Sequence, residues 1–216
     1  MRLKLILLLI SILCVRIYLK YVKITPSLPG YHTFYYTPKK YELIVDKVQA
    51  NQSNEKLIGN FEKLMPFWSG TMWSFSGKTE MPGEGSIACG YFVTTVLRDL
   101  GVNLNRNRLA QLPSEGMIRD LVSEKSIQRF NKVPIHNFIK EVKKSGKGLY
   151  VVGLDTHTGF ILFDDIGVWF IHASGSFPFC VVKQKASEAN ILMKSKYRVL
   201  GKLSDDKQFI EKYVGH

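Results

Sequence analysis

The stretch THTGFILFDDIGVWFIHAS, residues 156–174, carries two apolar runs rich in β-branched and aromatic residues, joined by Asp164-Asp165-Ile166-Gly167. That is the pattern of a β-hairpin. The turn length sets which side chains meet. A two-residue loop at Asp164-Asp165 places His157 directly opposite His172. A four-residue loop over 164–167 places His157 opposite Ser174, with His172 its diagonal neighbour. Both even loops keep the two imidazoles on one face, whereas a bulged three-residue loop ending at Gly167 shifts the pairing by one.

Similar runs flank the hairpin: LYVVGL from Leu149, FCVVK from Phe179 and KYRVLGKL from Lys196. These short runs, separated by turn residues, lie too close together for helical crossovers, so they predict antiparallel pairing. The first half reads differently. Within GSIACGYFV, residues 85–93, Cys89 opens an amphipathic pattern. Phe92, Val93, Val96, Leu97 and Leu100 share one helical face, Thr94, Thr95, Arg98 and Asp99 the other, and Gly101 ends the element. Ser86 is the candidate N-cap, and Cys89 lies on the side of Phe92 and Val93. Further helices are predicted from about Ser114 to Val122 and from about Pro134 to Lys144. Helices followed by consecutive strands indicate an α+β fold with an antiparallel sheet.

Upstream, residues 66–86 read as an aromatic loop carrying Trp68, Trp73 and Phe75. Residues 24–52 read as a Pro/Tyr/Lys-rich tether entering the domain through a helix that begins near Tyr41. The domain proper then spans 53–216. The opening 23 residues combine a basic start with an apolar run of 11 residues, Leu5 to Val15. This is the length of a signal-peptide core and too short to span a bilayer, so export is expected, by a signal peptide or an uncleaved N-terminal membrane anchor. Cys14 as a lipoprotein site is disfavoured by Leu13 before it.

The chain has 216 residues, 45% of them apolar, enough for one well-buried domain. Its formal charge is +12; Arg2, Lys4, Arg16, Lys20 and Lys23 belong to the leader with no acid, leaving +7 on the remainder. That excess suits an anionic polymer such as cell wall, a membrane face or nucleic acid, or else is an ordinary solvated surface. Nucleic acid is the weakest of these, because the cations are scattered among acids and no recognition motif is visible. The three cysteines, Cys14, Cys89 and Cys180, form no disulfide framework, and no Cys/His spacing suggests a metal; no cofactor is indicated.

A cysteine nucleophile needs a base or a positive local field, and a helix N-terminus supplies part of that field. His157 is the candidate base for Cys89, and His172 the group that fixes its tautomer. This reading predicts a Cys89 thiol more acidic than a free cysteine. Asp155, alternating with His157, is a third polar candidate, while His32, His136 and His216 have no such context. The competing reading is an inert core cysteine in a non-enzymatic envelope-binding protein.

These residues resemble the NlpC-type cell-wall endopeptidases, members of the papain-like cysteine hydrolases. GTMWSFSG (70–77) is similar to the family's loop before the nucleophile, CGYFV (89–93) to its nucleophile helix, and HTGFI (157–161) with FIHAS (170–174) to its histidine hairpin. The resemblance covers roughly residues 58–182. It implies a papain-like fold and a Cys-His-His site of Cys89, His157 and His172 acting on the peptide stems of peptidoglycan. It also implies Trp73 and Ser174 as substrate-binding residues. Where the family commonly has Asp before and Ser after its cysteine, this chain has Ala88 and Gly90, losing side chains that help hold the stem-peptide end. The segment between Cys89 and His157 is long, and its extra helices can cover or reshape the cleft. The same fold and residues also serve peptidases and amide-transferring enzymes on other substrates.

Overall fold

The computed structural model describes residues 38–215. The leader, most of the tether, and His32 and His216 lie outside them. In chain order, helices α1 (Pro38–Gln49) and α2 (Leu57–Trp68) precede two short strands, β1 (Met72–Trp73) and β2 (Ser86–Ile87). Helices α3 (Cys89–Asp99), α4 (Arg106–Ala110) and α5 (Ser114–Leu121) follow, then strand β3 (Ile127–Asn131) and helix α6 (Ile135–Lys144). The second half holds β4 (Gly148–Leu154), β5 (Thr158–Phe163), β6 (Val168–Ala173), β7 (Val181–Lys185), α7 (Asn190–Lys194), β8 (Tyr197–Lys202) and α8 (Lys207–Val214).

Strands β4 to β7 form the antiparallel meander that the run lengths predict. Strand β8 crosses back to pair with β4, and β3 closes that edge, giving the order β3-β8-β4-β5-β6-β7. Each pairing in this sheet is antiparallel. The fold is therefore mixed α+β on an antiparallel sheet.

One sheet face packs against α2 and α3. Phe160, Leu162, Ile171, Ala173 and Val181 share a core with Phe61, Trp68, Phe92, Val93 and Val96. The Phe92 ring makes edge contacts with Trp68 and Phe160 at 6.0 and 5.8 Å. Edge-to-face aromatic pairs of this kind add about 0.5–1.5 kcal/mol each beyond their buried area. The other face carries Tyr150, Val152, Ile161 and Phe170 against Phe138 and Val142 of α6.

Helix α3 departs from its amphipathic reading. Thr94, Thr95 and Asp99, expected on a solvent face, are buried. Helices α1 and α4 cover that side, so the helix is enclosed all round and its polar groups must find partners. Thr94 Oγ1 donates to the Gly90 carbonyl at 3.0 Å, and Thr95 Oγ1 accepts from Arg106 Nε at 2.7 Å. Asp99 accepts from Tyr41 Oη at 2.5 Å, and that hydroxyl accepts from Trp68 Nε1 at 2.7 Å. Burial pushes the Asp99 carboxyl above its ordinary range, although Arg98, Tyr41 and Arg106 oppose the shift. The expected entry helix is thus sewn onto the C-terminal half of α3.

Residues 66–86 contain more order than an aromatic loop. Trp68 ends α2, whose Leu57, Phe61, Leu64 and Trp68 fall at helical spacing and are fully buried. β1 and β2 pair in parallel through Met72–Ser86 and Trp73–Ile87. Ser86 consequently belongs to β2, its hydroxyl 2.8 Å from Ser74 Oγ, and is not the N-cap of α3. Ala88 occupies that position with no side-chain cap.

Candidate functional site

The β5–β6 register pairs Phe160 with Ile171 and Phe163 with Val168, so residues 164–167 form the four-residue loop. Asp164 organises it by accepting from the N–H groups of Ile166 and Gly167, each at 2.8 Å. In this register His157, just before β5, projects to the same side as His172 on β6. Their rings meet edge-on, with His157 Nε2 2.8 Å from His172 Nδ1. Gly159 lies opposite His172, where an added Cβ would stand 2.8 Å from His172 Cβ and from the Phe170 ring. A side chain there would displace the imidazole.

His172 is 1% exposed and stacks on Phe170 at 4.1 Å. Its second nitrogen, Nε2, lies 2.9 Å from Gln184 Nε2 on β7. Burial lowers the His157 pKa to about 4. Burial and the neighbouring His157 hold His172 well below the ordinary histidine range. Both imidazoles are neutral at physiological pH.

Strand parity puts the histidine pair on the sheet face toward α6, whereas α3 packs on the opposite face. At the end of the sheet the tight turn 155–157 links β4 to β5, and the Cys89 sulfur lies beside it, taking the backbone N–H of Thr158. Cys89 and His157 line one cleft of about 260 Å³, with Ala110, Leu112, Pro113 and Met117 forming an apolar wall that Ser114 interrupts. A second cavity of about 270 Å³ shares Leu154, Asp155, Thr156 and His157 with this cleft and continues to Ser176, Asn190 and Lys194. The open space therefore runs along both sides of His157.

Cys89 is half-buried, and its sulfur is served by the backbone N–H groups of Thr158, Gly90 and Cys89 itself. These donors favour the thiolate, as the helix start predicts, but burial outweighs them and raises the thiol pKa. The expectation of an acidified thiol is therefore corrected: covered by the segment between α3 and α5, Cys89 rests as S–H. Cys180 is fully buried, with its pKa pushed up to about 12 by desolvation, and lines neither cavity.

Gly90 also has a structural cause. A Cβ at this position would stand 2.4 Å from the Ala110 carbonyl oxygen, so the close approach of α4 excludes a serine. The packing of α4 against the start of α3 therefore fixes glycine at this position.

Trp73 and Ser174 line neither of the two cavities. The indole lies against Gly175, where an added Cβ would be 3.0 Å from the ring. Ser174 Oγ closes its own turn, donating to the Ser176 carbonyl at 2.9 Å and accepting from Ser176 N. Asp155 lines both cavities, yet its carboxylate accepts from the N–H groups of Lys196 and Tyr197, which hold its pKa below the ordinary value. Gln184 and the 110–117 wall were not singled out from sequence. Strand β7 follows an irregular 174–180 loop that hides its register, and the wall arises only when the chain folds over Cys89.

No protein-family model matches the chain, and no curated protein matches its sequence. Among the described residues, no group of three or more acidic, Cys or His side chains is arranged to hold a metal, and no helix is long and apolar enough to cross a membrane.

Proposed function

We propose that this protein is an exported cysteine amidase or endopeptidase of papain-like type. The observation carrying the reading is the cleft shared by Cys89 and His157, backed by the 2.8 Å His157–His172 hydrogen bond. His157 Nε2 is committed to His172, leaving Nδ1 to serve the cleft. In the reaction, Nδ1 takes the Cys89 proton as the sulfur attacks an amide carbonyl carbon. The oxyanion is received by backbone N–H groups at the uncapped start of α3. His157 then returns the proton to the leaving nitrogen as the C–N bond breaks. Water attacks the remaining thioester with His157 again as base, releasing the acid and restoring the thiol.

The substrate class, the peptide stem of peptidoglycan, follows from the family resemblance and agrees with the basic charge. The leader, as signal peptide or anchor, would deliver the domain to the cell envelope or beyond. Ala110, Leu112, Pro113 and Met117 line the cleft with Gly90, which favours an apolar group next to Cys89. The test is incubation with purified peptidoglycan and mass analysis of released fragments, wild type against Cys89→Ala. Wild-type fragments that vanish in the variant are expected. Equal release from both proteins, or none from either, overturns the reading.

A further inference from the structure

The proposed chemistry needs His157 Nδ1 to carry a lone pair, and the hydrogen-bond chain behind it determines whether it does. His157 Nε2 meets His172 Nδ1, and His172 Nε2 meets the amide nitrogen of Gln184. An amide nitrogen only donates, so His172 Nε2 must accept. Neutral His172 then carries its proton on Nδ1 and donates it to His157 Nε2. Neutral His157 is left with its own proton on Nδ1, the nitrogen that serves the cleft. In this arrangement it cannot receive the Cys89 proton.

Turning the Gln184 amide by half a rotation reverses every bond in the chain. Oε1 then accepts from His172 Nε2–H, His172 Nδ1 accepts from His157 Nε2–H, and His157 Nδ1 is bare. The protons balance: one leaves His157 Nδ1 to water, the bridging proton moves from His172 Nδ1 to His157 Nε2, and one from water joins His172 Nε2. Gln184 is half-buried, and among the described residues its Oε1 has no protein partner, so the rotation breaks no other bond of the side chain.

We propose that Gln184 is a positioning residue whose amide orientation selects the His157 tautomer, and that the structure holds the resting arrangement, with the thiol protonated. This rests on the cysteine-hydrolase reading for its consequence, but not for its geometry. The sheet register supports it: Gln184 pairs with Phe170, and His172 with Val182, so Gln184, Phe170 and His172 share one face. Among the described residues, the His172 ring has no other polar partner at Nε2.

The experiment uses the full chain with 15N-labelled histidine at mildly alkaline pH, where both imidazoles are neutral, and reads the His157 tautomer by NMR. Wild type is expected mainly as the Nδ1–H form. Gln184→Glu is isosteric and presents only acceptors, so it should convert His157 to the Nε2–H form. Gln184→Met offers neither donor nor acceptor and should give a mixture. In parallel, Cys89 alkylation by iodoacetamide should accelerate about tenfold or more in Gln184→Glu, the range expected when a general base becomes available. An unchanged His157 tautomer in Gln184→Glu overturns the inference. A switched tautomer without faster alkylation upholds the role of Gln184 and counts instead against the Cys89–His157 dyad.

Discussion

Acidification tests the buried, neutral histidine pair most directly. His157 is 7% exposed, and its pKa in the folded protein is about 4 against 6.5 ordinarily. Because the folded value is the lower, the unfolded chain binds more protons between them. The stability is fully present above the unfolded pKa and is lost as pH falls through the window. Moving from about pH 7.5 to about pH 5 should cost about 2 kcal/mol through His157 alone, at 1.36 kcal/mol per unit of proton linkage. His172 is shifted the same way and adds to the loss. Most carboxylates remain ionised across this range, which isolates the histidine contribution. The assay is urea unfolding at the two pH values for wild type and His157→Gln. The variant should lose about 2 kcal/mol less on acidification than wild type. Parallel losses in the two proteins would show that His157 is not buried in its neutral form and would refute the protonation state on which the proton chain depends.

Other outcomes follow from particular contacts. Wild-type Cys89, with its thiol pKa raised by burial, should alkylate more slowly than a free thiol near neutrality and faster only in alkali, as a pH–rate series would record. Gly90→Ser should destabilise by roughly 1–3 kcal/mol in chemical denaturation, because its Cβ meets the Ala110 carbonyl at 2.4 Å. Asp206→Ala should cost about 3 kcal/mol or more, since this buried carboxylate caps α8 through Phe209 N and also accepts from Ser123 and Ser126. Tyr41→Phe should cost about 1–3 kcal/mol by leaving Trp68 Nε1 and Asp99 without their shared hydroxyl, and should leave the far-UV CD spectrum unchanged.

Much of the site's framework could be read from local pattern. The 3.6-residue rhythm after Cys89 and the short β-branched and aromatic runs after Leu149 each depend on side chains close together in the chain, and both kinds of element form where expected. The sequence limited the hairpin loop to a few lengths, and the observed four-residue loop over 164–167 is one of the even ones that put the histidines on one face. Strand β3 was not foreseen because Ile127 and Phe130 are buried without alternation along an edge strand. Helix α2 was partly misread because its last turn contains Pro66 and runs into a stretch rich in Gly, Ser and Thr.

By itself, then, the sequence determined the α+β class, the helix that Cys89 opens, and a hairpin carrying both His157 and His172, with their same-side placement left to the loop length. Local backbone periodicity is sufficient for these. Tertiary structure alone decided that the histidines occupy the sheet face opposite α3, that Cys89 and His157 line one cleft, and that Gln184 stands behind His172. It also decided the protonation of the site. Desolvation depends on which distant segments cover a group, and the chain between Ala110 and Met117 folds over the cleft so that burial outweighs the helix-terminal N–H groups around the thiol.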